Sequence, residues 1–192
     1  KKETVILKKI EKLNNQVLFL EGTHDNLDLI AQYPLEEWNG GKVRRISKSV
    51  LKLERGSVFT IEGKRLFVFG GGESPEMDLR TADGTWWPQE LPTIEEVMLA
   101  REELAKYDNQ VDCIVTHECS STVRHFIDMD GEHTNIMTHF FDEITEKVSF
   151  KKWFFGCYHM DKVIPPRYYA LFEKGFTFRI IKKEEDFVCP VM

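Results

Sequence analysis

The sequence predicts a layered α/β protein with mixed sheets, on three observations. Short apolar runs of strand length stop abruptly before Gly22, His117 and Gly156, as buried strands do at their ends. Amphipathic segments of helical period lie between them, the alternation that joins parallel strands through helices. A meander of shorter strands and a terminal hairpin are added, and a plain doubly wound sheet contains neither.

Composition bounds the rest. The chain has 192 residues, of which 42% are hydrophobic, so a single domain, residues 1–192, with a full core is expected. A net charge of −6 argues against a dedicated nucleic-acid surface, whose footprint is basic. No apolar run reaches the roughly 20 residues of a membrane span. Cys113, Cys119, Cys157 and Cys189 show no disulfide-framework spacing, and a reduced, cytoplasmic protein is expected.

Taken in order, Thr4–Leu13 has Ile6, Ile10 and Leu13 on one stripe, and lysines elsewhere, which predicts an amphipathic helix. Val17–Glu21 follows as a strand, and Gly22 permits a sharp exit toward Thr23, His24 and Asp25. Residues Asn26–Ala31 read as a short helix that Asp25 caps. Trp38-Asn39-Gly40-Gly41 is a turn by composition. From Val43 to Phe69 the apolar groups shorten to strands, with Glu62-Gly63-Lys64 as a tight turn, in a meander that crosses from one sheet to another.

The run Gly70-Gly71-Gly72 is a poor phosphate cradle because Pro75 and a polar loop, not a helix N-terminus, follow it. Glycines that turn, or that bring backbone close to a site, fit better. Trp86 and Trp87 on that loop either cover a cleft or pack the loop down. Thr93 and Glu96 form a capping box for a helix over Ile94–Lys106. Val111–Thr116 is a strand running into His117, Asn135–Lys147 a helix, and Trp153–Phe155 a strand running into Gly156, Cys157 and His159. Tyr168–Phe172 and Phe176–Ile181 flank Glu173-Lys174-Gly175 as a hairpin.

Neighbouring parallel strands set their C-terminal ends side by side, and in open α/β sheets ligands bind there. His24, His117, Cys157 and His159 therefore form the candidate site. Imidazole and thiolate ligate zinc and other first-row metals, while carboxylates and amides suit manganese or magnesium. His125, His133 and His139 fall on polar helix or loop surfaces and read as ordinary solvated residues.

The ordered set Gly22-Thr23-His24-Asp25, Val115-Thr116-His117-Glu118 and Phe155-Gly156-Cys157-Tyr158-His159 resembles the last three motifs of the calcineurin-like metallophosphoesterases. Further segments, Pro34–Gly41, Phe69–Ser74 and Trp86–Glu90, resemble a bacterial and phage-borne branch of that family. The resemblance covers nearly the whole chain. It implies a two-sheet α/β/β/α sandwich holding two divalent ions (Mn, Fe, Zn or Mg) and hydrolysis of a phosphomonoester or phosphodiester of a small molecule or nucleotide. It also implies that His24 assists at the scissile phosphate with Asp25 orienting it. His117, Cys157, His159 and Thr23 then stand at metal-ligand positions, with Thr23 and Cys157 where the family has asparagine and histidine.

The family's first two metal-binding motifs belong on strands before the opening helix, and the sequence holds neither. The chain then corresponds to the C-terminal three-quarters of such a domain, apparently without its N-terminal strands. A sheet edge would be exposed, and pairing or oligomerisation would cover it. Two rivals stand beside this reading. One is a catalytically degenerate binding or scaffold protein on the same fold. The other is a single structural metal held by His117, Cys119, Cys157 and His159.

Overall fold

The computed structural model describes residues 2–12, 15–127 and 134–173 of the chain. Helix α1 (Lys2–Glu11) precedes strand β1 (Val17–Phe19) and packs against the later strand β4. Of its expected apolar stripe Ile6 is exposed and Ile10 half-buried, while Leu13 lies outside the described residues. Helix α2 (Leu27–Ala31) follows; its cap is Asn26, not Asp25, because the Asn26 side chain accepts the Leu29 N–H at 2.9 Å.

Strands β2 (Leu35–Trp38) and β3 (Gly41–Arg45) then pair antiparallel. Asn39 and Gly40 both take positive φ, 49° and 91°, the two-residue turn whose twist suits a hairpin. The strand before the turn is the part that sequence pattern did not show. β4 (Val50–Leu53) pairs with β3 antiparallel and with β1 parallel, which gives a four-stranded sheet in the order β1-β4-β3-β2. Among the described residues nothing pairs the other edge of β1.

The chain next crosses to a second sheet, as the meander predicts. β5 (Val58–Ile61) and β6 (Lys64–Phe69) form a hairpin over Glu62-Gly63, again with two positive φ values. Helix α3 (Met77–Ala82) and a single 3₁₀ turn, Pro88–Glu90, interrupt the loop that was expected to be irregular. Helix α4 (Ile94–Ala105) opens on the Thr93/Glu96 capping box. β7 (Cys113–Thr116), the short α5 (Ser121–Arg124), α6 (Ile136–Lys147), β8 (Lys152–Phe155), β9 (Lys162–Ile164) and β10 (Tyr168–Ala170) complete the described chain.

The second sheet has the order β5-β6-β7-β8-β10-β9. Its β6, β7 and β8 run parallel, and so do β8 and β10. β10 pairs antiparallel with the preceding β9, a strand that the expected tail hairpin did not include. The other half of that hairpin, Phe176–Ile181, lies outside the described residues, as do His133 and Cys189.

Strand β6 of the six-stranded sheet packs apolar side chains on both of its faces. Successive strand residues point to opposite faces, so Phe67 and Phe69 join α4 and α6 residues such as Leu104, Phe140 and Phe141 in one cluster. Between them, Leu66 and Val68 face Val43, Leu51 and Leu53 of the four-stranded sheet. Two mixed sheets with helices are thus the architecture. Among the described residues no helix is long and apolar enough to cross a membrane.

Candidate functional site

The parallel triplet β6-β7-β8 ends in register, with Phe69 opposite Thr116 and Thr116 opposite Phe155. The residues that follow these ends are therefore neighbours. The His117 N–H donates to the Phe69 carbonyl at 3.3 Å, and the Gly156 N–H donates to the His117 carbonyl at 3.1 Å. From the other sheet, the Glu21 carbonyl accepts the Gly71 N–H at 2.8 Å. One backbone stitch per segment brings Glu21–Asp25, Gly70–Gly72, His117 and Gly156–His159 to a common place.

His117 sits in a box of glycines. A Cβ on Gly22 would lie 2.9 Å from its Cε1, one on Gly72 3.0 Å from its Cδ2, and one on Gly156 3.9 Å from its Nδ1. The first is closer than a methyl group tolerates and the second is tight, so glycine at these positions gives the ring its room. Its Nε2 is buried with no hydrogen-bond partner, an exposed cost for a polar atom out of water. Burial lowers the His117 pKa; Asp25 and Glu21 oppose that shift, and His24 and His159 add to it. The ring is held neutral, with a nitrogen lone pair free to accept.

The other candidates surround it without closing on it. His24 is 68% exposed, and its Nε2 lies 3.8 Å from Glu76 Oε2 at the start of α3. Asp25 Oδ2 accepts the Gly22 N–H at 2.8 Å and so braces the turn that carries His24, while Glu76 supplies a second carboxylate beside the ring. Thr23 is buried, its methyl 3.0 Å from where a Gly72 Cβ would stand. Cys157 and His159 both adopt left-handed backbone, φ 68° and 49°, a conformation uncommon for residues with a side chain. Burial pushes the Cys157 thiol up to about 11; Glu118 adds to the shift and Arg124 opposes it. The His159 ring stands 5.0 Å from that of Phe172.

Beneath the site lies a charged frame that motif reading missed. Glu21, 1% exposed, meets Lys52 Nζ at 3.1 Å and Arg55 Nε at 3.0 Å. Gly70 makes room for it, since a Cβ there would lie 2.5 Å from the carboxylate. Arg55 also donates to the Gln89 carbonyl at 2.7 Å. Arg80 grips Glu90 through two hydrogen bonds of 3.0 and 2.6 Å, both groups buried, and the Glu90 carbonyl accepts the Gly72 N–H at 3.0 Å. The signal for Glu21 was present in the sequence: a carboxylate directly after an apolar run, before a glycine. Arg55, Glu76, Arg80 and Glu90 carry no such local mark.

His117 fits a metal donor, because a cation would satisfy its orphaned Nε2. A complete centre is not formed: among the described residues no three His, Cys, Asp or Glu side chains gather to hold an ion. The same finding weighs on the four-residue structural site, and Cys119 is instead packed in the larger core with its Sγ 3.4 Å from the Tyr158 hydroxyl. An open cleft of about 580 Å³ lies elsewhere, between the β2–β3 hairpin and α4. Its cations Lys42, Arg44, Arg55 and Lys106 are matched in number by Glu37, Glu54, Glu102 and Glu103, and no histidine or cysteine lines it. The histidine junction is therefore the better candidate for chemistry.

The fold and junction define an α/β protein of two mixed sheets whose histidines collect at the ends of parallel strands. No family model, curated protein or solved structure matches the chain.

Proposed function

We propose that this domain hydrolyses a phosphomonoester or phosphodiester of a small molecule or nucleotide, with divalent metal ions as cofactor. The observation that carries the reading is the buried, unpartnered Nε2 of His117, set among glycines with the exposed His24 nearby. A bound divalent ion would polarise the phosphate and lower the pKa of a bound water toward neutrality. His117 is the donor best prepared for it, neutral and fixed in place. Thr23, Cys157 and His159 are the further positions for ligands, and Cys157 would have to give up its proton to serve.

His24 has the access that a proton donor to a leaving oxygen needs, and Glu76 is placed to hold its ring. General acid assistance of this kind contributes roughly 10²–10⁴-fold. The test is hydrolysis of bis(4-nitrophenyl) phosphate in manganese. Turnover is expected from the wild type, with a loss of that order in His24→Ala and of at least that order in His117→Ala. Metal-loaded protein that turns over no member of a broad phosphoester panel would sink the proposal.

A second reading, a binding protein on the same fold, is favoured by the protonated Cys157 thiol and the inward Thr23 methyl. Elemental analysis separates the two: protein that carries no stoichiometric metal, and takes none up from manganese solution, belongs to the second.

A further inference from the structure

Among the described residues one arginine has nothing to hold. Arg55 meets Glu21 at 3.0 Å, and Arg80 clasps Glu90. Every other described arginine donates through its guanidinium to a carbonyl or a carboxylate. The half-buried Arg124 does not. Its Nε is buried with no hydrogen-bond partner, and its two Nη atoms, which also bond nothing in the protein, are left to solvent.

The side chain stands at the Cys157 flank of the histidine junction. Helix α5 begins just beyond His117, where the Ser120 hydroxyl accepts the Val123 N–H at 3.3 Å. The Arg124 guanidinium carbon lies 6.0 Å from the centre of the Tyr158 ring, within reach of its π-face. Tyr158 sits between Cys157 and His159 and is itself fixed. Its N–H donates to the Gly156 carbonyl at 2.8 Å, and the Cys119 thiol donates to its hydroxyl at 3.4 Å. Burial raises the pKa of both thiols, Cys119 and Cys157, and the Arg124 charge opposes that rise. At His117 the charges that act are those of Asp25, Glu21, His24 and His159. The guanidinium is therefore set to one side of His117, with its open end in solvent.

A buried polar atom without a partner calls for a reason. A planar fork with both Nη atoms open is the shape that takes a carboxylate or phosphate through two parallel hydrogen bonds. From this we infer that Arg124 forms a second anion subsite, which takes an acidic group of the substrate other than the phosphate at His117. The inference rests on the phosphoesterase reading above. It makes the preferred substrate a phosphoester that carries a further carboxylate or phosphate.

The test is calorimetric titration of the whole chain, in manganese, with phosphonoacetate, 3-phosphonopropionate and 4-phosphonobutyrate, each against methylphosphonate. All share the phosphate-like head and resist hydrolysis, and the first three add a carboxylate at increasing reach. At the best spacing, wild type is expected to favour the carboxylate-bearing probe by on the order of tenfold. That preference should fall toward unity in Arg124→Gln, with methylphosphonate affinity unchanged as the check on folding. Arg124→Lys, which keeps the charge and loses the fork, should fall between. No preference for any of the three in wild type, or an undiminished preference in Arg124→Gln, overturns the subsite and leaves phosphoester hydrolysis standing. So does a loss of methylphosphonate affinity in a folded Arg124→Gln, because Arg124 would then hold the phosphate itself. Failure of wild type to bind any of the four probes overturns both.

Discussion

Replacing Arg80 with alanine tests whether the charged frame under the site holds the shape claimed for it. The substitution removes two hydrogen bonds to Glu90 and one to the Thr85 carbonyl, and leaves a carboxylate that is 1% exposed without its counter-charge. Breaking a buried pair from one side costs about 3–5 kcal/mol, against a total stability of roughly 5–15 kcal/mol for a domain. With a urea slope of about 2 kcal/mol per molar, the unfolding midpoint should fall by roughly 1.5–2.5 M. The double variant Arg80→Met/Glu90→Leu removes the orphaned charge as well, and it should recover to within about 1 kcal/mol of wild type. Equilibrium urea unfolding followed by circular dichroism measures both. A single-variant shift under about 0.5 M, or a double variant as weak as the single, would refute the reasoning, because neither outcome fits a desolvated pair that sets geometry.

Two glycines make a matched comparison. Gly71 has φ +90° and a Cβ there would collide with the Glu90 carbonyl, whereas Gly63, at φ +76°, has nothing within 4 Å. Gly63→Ala should therefore cost only the left-handed penalty of about 1–2 kcal/mol, and Gly71→Ala clearly more, in the same urea assay; equal costs would contradict the clamp. Gly22→Ala places a methyl 2.9 Å from His117 Cε1, which should cost about 1–3 kcal/mol as overpacking and shift the His117 ring resonances in NMR spectra. Unmoved resonances would place the ring outside the glycine box.

Asp112 gives the pH dependence. Burial alone would raise its pKa, but the Arg65 N–H at 3.0 Å and Lys151 at 2.9 Å outweigh burial and lower it. The folded value lies below the unfolded one, so this stabilisation is present above about pH 4, the ordinary carboxylate range, and is lost as pH falls through the folded value. The stability gap between wild type and Asp112→Asn should shrink on acidification through that window. A gap that stays constant would show that the carboxylate charge contributes nothing.

Local features were legible wherever the signal was local. The Thr93/Glu96 box, the Glu62-Gly63 turn and the strand ends before Gly22, His117 and Gly156 depend on residues a few positions apart. Strand β2 was not legible, since Leu35-Glu36-Glu37-Trp38 lacks the β-branched texture of a strand, and its pairing with β3 decides it. The cap of α2 moved by one residue because Asn26 and Asp25 are equivalent in sequence, and only the turn geometry assigns Asp25 to the Gly22 N–H.

The sequence by itself determined the alternation of strand and helix, the crossing between two sheets, and which histidines follow strand ends, because periodicity and turn chemistry are properties of neighbouring residues. Only the tertiary structure decided that His24 meets Glu76, that Glu21 is held by Lys52 and Arg55, and that Glu90 reaches back to Gly72. Those contacts join residues from 18 to 52 positions apart. No local rule ranks one distant charge over another until the chain has closed around them and removed the water.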